Sequence, residues 1–124
     1  MTHVPDISQE YAQGAIKTAV LLNSGAIIAA LSQLGELSRI AEGAALAWPF
    51  SFWILGALLG AGCWWPAFAS ARNLVLSQGG RLSAEERAGH IRRANALLGL
   101  GTTVFVLSLA CFGLGAFSIV RALP

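Results

Sequence analysis

Charged side chains are scarce in this sequence of 124 residues: Asp, Glu, Lys and Arg together make up 11% of it. Soluble domains carry about 25% charged residues, so this chain has too few of them to cover a surface in water. Its apolar fraction of 56% and its net charge of only +2 argue equally against a solvated, disordered chain. The composition therefore predicts a polytopic membrane protein.

Alternating polar and apolar residues, the signature of a half-buried strand, are also missing. Three charge-free runs are instead long and apolar enough for transmembrane helices. We expect an all-α fold, with one membrane domain over residues 1–124 and three transmembrane helices at 18–34, 47–71 and 96–120. Pro66 is expected to kink or unwind the end of the second helix.

The segment before the first span, residues 5–17, is expected to form a weakly amphipathic lead-in helix that starts at the capping residues Asp6 and Gln9. This helix would either lie on the membrane surface or continue into the first span. Both outcomes are compatible with the sequence.

The loop before the third span, residues 73–95, contains a second capping box formed by Ser83 and Glu86. A helix that begins near Ala84 would continue through Glu86 and His90, which are spaced for an i,i+4 contact. It would enter the third span without a break and form a cytoplasmic extension of that helix.

Basic residues are distributed unequally across the three predicted crossings. The side that the N-terminus shares with the second loop has six of them: Lys17, Arg72, Arg81, Arg87, Arg92 and Arg93. The opposite side has Arg39 and Arg121. The positive-inside rule then predicts a cytoplasmic N-terminus and an outside C-terminus. A multi-pass protein of the bacterial inner membrane is the expected location.

Interfacial residue types mark the ends of the second and third spans. Trp48 and the pair Trp64 and Trp65 are separated by 16 residues, or about 24 Å of helix, and tryptophan gathers at both membrane interfaces. With the basic residues Arg72, Arg92 and Arg93, they are the predicted membrane-interface anchors.

Small and polar residues on the spans predict where helices pack, because such residues drive association in lipid. The first span has a face with spacings of three and four residues: Ala19, Asn23, Ala26, Ala30 and Gln33. The second has the GxxxG pair Gly56 and Gly60. Asn23 could hydrogen-bond within one subunit, join two subunits or line a pore.

Residues suited to chemistry are few and scattered. Cys63 and Cys111 are interpreted as buried apolar thiols, and neither His3 nor His90 has a second metal ligand at a suitable spacing. We therefore expect no metal, no cofactor, no nucleic-acid partner and no small-molecule substrate. The protein is predicted not to be an enzyme, with the lipid bilayer and itself or another membrane protein as its partners.

Two functions fit these features. The first is a structural or accessory subunit of a homo-oligomer or of a larger membrane complex. The second is an oligomeric pore or membrane-permeabilising protein. In size and number of spans the chain is similar to small phage holins, although it has no highly charged C-terminal tail. Inward-facing polar residues would favour the pore.

Overall fold

A computed structural model describes residues 7–40 and 43–122, and their side chains over 13–39 and 46–122. Five helices form nearly all of this part, which contains no strand: α1 Ile7–Ser32, α2 Leu34–Ile40, α3 Gly43–Gly62, α4 Trp64–Ser77 and α5 Ala84–Ala122. Three stretches are long and apolar enough to cross a membrane: Gln13–Ser32, Leu46–Ser77 and Ala84–Ala122. The prediction of an all-α protein with three such helices is confirmed.

The helix that contains the first span begins well before the apolar residues of that span. α1 is continuous from Ile7, so the lead-in residues that the structure describes extend the span in one helix; the expected cap at Asp6 lies outside the described residues. α1 ends at Ser32, two residues before the predicted end of the span. Gln33 forms a turn, and α2 follows with an exposed ion pair of 3.3 Å between Glu36 and Arg39.

The second span is two helices, because the helix is interrupted at Cys63. Pro66 has no N–H to donate to the carbonyl of Gly62, and the N–H of Cys63 is shared between Leu59 O at 3.1 Å and Gly60 O at 3.3 Å. The disturbance expected from Pro66 thus lies on its N-terminal side. α4 then continues to Ser77, beyond the predicted end at residue 71.

The helix that contains the third span, α5, is the longest, with 39 residues and a length of about 58 Å. Its start is fixed by the predicted capping box. The Glu86 N–H donates to Ser83 Oγ at 3.2 Å, and the Ser83 N–H donates to Glu86 Oε2 at 2.9 Å. Bonds from Ser83 hold the pKa of the Glu86 carboxyl below its ordinary value.

α5 runs antiparallel to α3 and α4, with small residues at the contact. One set of buried residues along α3, the break and α4 recurs every seven positions: Pro49, Gly56, Cys63, Ser70 and Ser77. On α5 the same spacing is formed by Ala94, Gly101, Ser108 and Gly115, of which Gly101 is half-buried. A seven-residue repeat of contacts is the geometry of helices that wrap with a left-handed twist.

Side-chain hydrogen bonds connect the two antiparallel partners along their whole length. The pairs, in order along α3 and α4, are Trp53 Nε1 with Phe112 O (3.3 Å), Gly56 O with Ser108 Oγ (2.7 Å), Cys63 Sγ with Gly101 O (3.7 Å), Ser70 Oγ with Ala94 O (2.9 Å) and Asn73 Oδ1 with His90 Nδ1 (3.2 Å). Each step forward on one partner is a step backward on the other. α1 packs mainly on α3 and less extensively on α5. α4 packs mainly on α5, and the two form the α4–α5 hairpin.

Candidate functional site

The polar centre of the bundle is Asn23, whose side chain is 0% exposed. Its Nδ2 donates to Ala19 O of its own helix at 2.9 Å and approaches Ser108 O and Ser108 Oγ of α5, both at 3.4 Å. Ser108, also 0% exposed, donates its hydroxyl to Gly56 O on α3. One amide and one hydroxyl thereby connect all three spans.

Two glycines of α3 make this junction sterically possible. A Cβ at Gly56 would lie 2.6 Å from Asn23 Cγ and 2.9 Å from Nδ2, closer than real atoms approach. A Cβ at Gly60 would lie 3.1 Å from Val20 Cγ2 and 3.2 Å from Ser108 Oγ. The GxxxG pair is therefore the surface against which α1 and α5 pack within this chain.

Asn23 Oδ1 is the one buried side-chain oxygen or nitrogen without a hydrogen-bond partner in the described part of the chain. It lies on the side of Gly56 where a Cβ would stand, because such a Cβ would overlap the Asn23 carboxamide. A Cα–H group is a weak donor to oxygen, and such contacts recur where helices pack closely. The Cα–H group of Gly56 is therefore placed to replace part of the missing hydrogen bond.

The predicted face of α1 is buried along most of its length. Ala19 and Ala30 are buried with Asn23, and Ala26 is half-buried. Gln33 differs, because α1 ends one residue before it and the turn leaves it exposed. Ile16, which the sequence analysis left out, is buried one turn before Ala19.

The tryptophans separate into two groups. Trp53 is buried against Gly115, where a Cβ would lie 2.7 Å from Trp53 Cδ1, and its indole N–H bonds to α5. Trp48, Trp64 and Trp65 are exposed on the outer surface of the bundle. The remaining predicted anchors, Arg72, Arg92 and Arg93, are exposed as well.

Other candidate groups are used for packing. Cys63 and Cys111 are buried free thiols, and Cys63 Sγ also contacts Leu59 O at 3.4 Å. His90 lies against Asn73 of α4 rather than against Glu86, its i,i+4 neighbour. Within residues 7–40 and 43–122 no three His, Cys, Asp or Glu side chains come together as metal ligands would.

The partners of Asn23 could not be found from the sequence. Ser108 is 85 positions away, and α5 contains several other hydroxyl residues. A signal is present in the sequence: small residues recur every seven positions on both α3–α4 and α5. The predicted packing faces were instead based on spacings of three and four residues. Trp53 follows the same spacing, being seven residues before Gly60.

The geometry of this site is that of a packing junction: Asn23 of α1 lies against Ser108 of α5, and Ser108 donates to Gly56 O of α3. Comparisons with protein-family models, with curated proteins and with solved structures find no match.

Proposed function

We propose that the protein is a small, non-catalytic integral membrane protein that serves as a structural or accessory subunit of a homo-oligomer or of a larger membrane complex. The observation that carries the proposal is the enclosure of Asn23 and Ser108, which are both 0% exposed and whose side chains connect the three spans of one chain. Interhelical hydrogen bonds in membranes contribute about 0.6–2 kcal/mol, so this junction favours one fixed arrangement of the three spans.

The hydroxyl groups on the outer surface support a packed unit over a pore. Thr102 and Thr103 donate to Leu98 O at 2.9 Å and to Gly99 O at 3.0 Å, both on their own helix. Ser118 does the same to Leu114 O at 2.7 Å. These three hydroxyls donate within one helix, and the Asn23 amide, which could line a polar path, is 0% exposed.

The outer surface offers space for further helices. Six glycines of the three apolar stretches would place a Cβ in open space, with no atom within 4 Å: Gly14, Gly25, Gly62, Gly89, Gly99 and Gly113. Small residues allow helices in lipid to approach closely. This surface is therefore compatible with a second copy of the chain or with another membrane protein.

The proposed orientation has the N-terminus and the turn between α4 and α5 in the cytoplasm and the C-terminus outside, with the bacterial inner membrane as the location. Its basis is the excess of Lys and Arg on the side of this turn. In this orientation the residues around the turn are the part of the chain available to cytoplasmic partners.

Native mass spectrometry of the protein extracted into polymer nanodiscs tests the proposal. A discrete homo-oligomer, or a complex of fixed stoichiometry with another membrane protein, is the expected result. A monomer without a partner, or an oligomer that conducts ions when it is reconstituted into planar bilayers, would contradict it. Asn23→Leu should reduce thermal stability while leaving the subunit number unchanged, because Asn23 contacts only its own chain.

A further inference from the structure

A groove opens where α1 separates from the α4–α5 hairpin. α1 packs along α3, but among the described residues it makes no comparable contact with α4 beyond the break at Cys63. The resulting groove has a volume of about 140 Å³. Its walls include Ala15, Ile16, Cys63, Ala67, Gly101 and Phe105.

Small side chains create this space. Ala15 and Ala67 present single methyl groups from opposite walls, and Gly101 presents only backbone. Larger residues at these positions would bring α1 and the hairpin into contact through the groove. The volume of the groove therefore depends on the small residues at positions 15, 67 and 101.

Water has little to bind in this groove. Its two polar side chains are Thr102 and Cys63, and both already donate to helix carbonyls, at 2.9 Å to Leu98 O and at 3.4 Å to Leu59 O. A buried water needs two to four polar partners, whereas an apolar cavity of about 150 Å³ stays dry and takes up benzene. The groove therefore suits a hydrocarbon ligand.

The depth of the groove identifies the source of that hydrocarbon. Ile16 is followed by Lys17, and Cys63 by Trp64 and Trp65, residue types that gather at the membrane interface. From this level the 20 residues of α3 and an equal length of α5 each extend about 30 Å, the thickness of the hydrocarbon core. The groove lies at the edge of that core, where lipid chains begin.

We propose that the groove binds one acyl chain of a membrane phospholipid, which remains with the protein when the protein is extracted. The acyl chain occupies the space that α1, α4 and α5 leave between them, and it makes the contacts that larger side chains would make there. This inference is independent of the proposed role as a subunit, since it concerns a lipid held by a single chain.

Lipid retention in native mass spectrometry tests the inference, with the protein released from nanodiscs of phosphatidylglycerol and phosphatidylethanolamine. One phospholipid per wild-type chain is expected, of either headgroup. Ala15→Leu fills the groove and should lower retention roughly tenfold, the effect of losing contacts to about two methylene groups. Ala29→Leu is the matched control: it makes the same change on the same helix at an exposed position, and its retention should equal that of wild type.

Ala67→Leu fills the groove from the opposite wall and replaces Ala15→Leu if that variant fails to fold, as judged by its thermal midpoint. Loss of the lipid in either folded groove variant, with retention in Ala29→Leu, supports the site. Equal retention in all three variants, retention that depends on headgroup but not on the groove, or a wild-type protein without bound lipid would each overturn it.

Discussion

The junction between Asn23 and Gly56 depends on the absence of a Cβ at Gly56, which leaves room for the buried amide of Asn23. Gly56→Ala should destabilise the protein by about 1–3 kcal/mol, the usual cost of an added group in a packed core, because the new Cβ would lie 2.6 Å from Asn23 Cγ. Thermal unfolding in detergent measures the effect. Gly25→Ala adds the same methyl where no atom lies within 4 Å, and it should be neutral or slightly stabilising.

The double variant Asn23→Ala, Gly56→Ala separates the clash from other effects of the methyl group. Removing the carboxamide vacates the space that the new Cβ needs, so the two changes together should cost less than the sum of their separate costs. Additive costs would contradict the close contact between Asn23 and Gly56.

Residue types at this junction were predictable, but their pairing was not. An amide in an apolar helix must find a partner, which made Asn23 conspicuous, and GxxxG indicated close packing at Gly56 and Gly60. Neither pattern contains the distance to Ser108, because helical periodicity describes one helix at a time. The choice among a partner in the same chain, another subunit and a pore required the arrangement of three helices.

Helix ends were predictable where a local hydrogen bond defines them. Ser83 and Glu86 predicted the start of α5 at Ala84, and the bonds that cap it are formed. The break at Cys63 was displaced from Pro66, because proline removes a bond to a residue four positions earlier. α2 was not predicted, since its seven residues are too few for a periodic signal.

The capping box at Ser83 should titrate at acidic pH. Because bonding to Ser83 lowers the pKa of Glu86 below 4.5, the cap stabilises the start of α5 above the unfolded pKa and loses this effect as pH falls through the lowered folded pKa. A ¹³C titration of the Glu86 carboxyl should give this depressed pKa. In Ser83→Ala the pKa should rise part of the way toward its ordinary value, because the side-chain bond is lost while the backbone N–H of residue 83, the larger cause, remains. An unchanged pKa would contradict the contribution of the Ser83 hydroxyl.

The register between α4 and α5 predicts a specific cross-link. In a background without Cys63 and Cys111, cysteines introduced at Ser70 and Ala94 should form a disulfide on mild oxidation, because Ser70 Oγ lies 2.9 Å from Ala94 O. Cysteines at Ser70 and Gly101 are displaced by one seven-residue repeat, or about 10 Å of helix, beyond disulfide reach. Efficient cross-linking of the second pair would indicate a different register.

Three helices, α1, α3 and α5, share one polar junction, and α5 continues beyond it as a partner of α4 in the α4–α5 hairpin. The side-chain hydrogen bonds to α5 extend from Trp53 with Phe112 to Asn73 with His90, across the break between α3 and α4. α1 packs against α3 and α5 but makes no comparable contact with α4. The result is an asymmetric molecule, with a three-helix bundle at one end and an exposed basic hairpin at the other.

This asymmetry makes the orientation measurable with a membrane-impermeant maleimide on cells that express single-cysteine variants. Gly80→Cys lies in the exposed turn between α4 and α5, where an added side chain meets no atom within 4 Å, and Ser38→Cys lies on the exposed α2 at the other end. The excess of basic residues near the hairpin predicts that Ser38→Cys reacts in intact cells and that Gly80→Cys reacts only after permeabilisation. The opposite pattern would reverse the proposed topology, and reaction of both sites in intact cells would contradict an odd number of crossings between them.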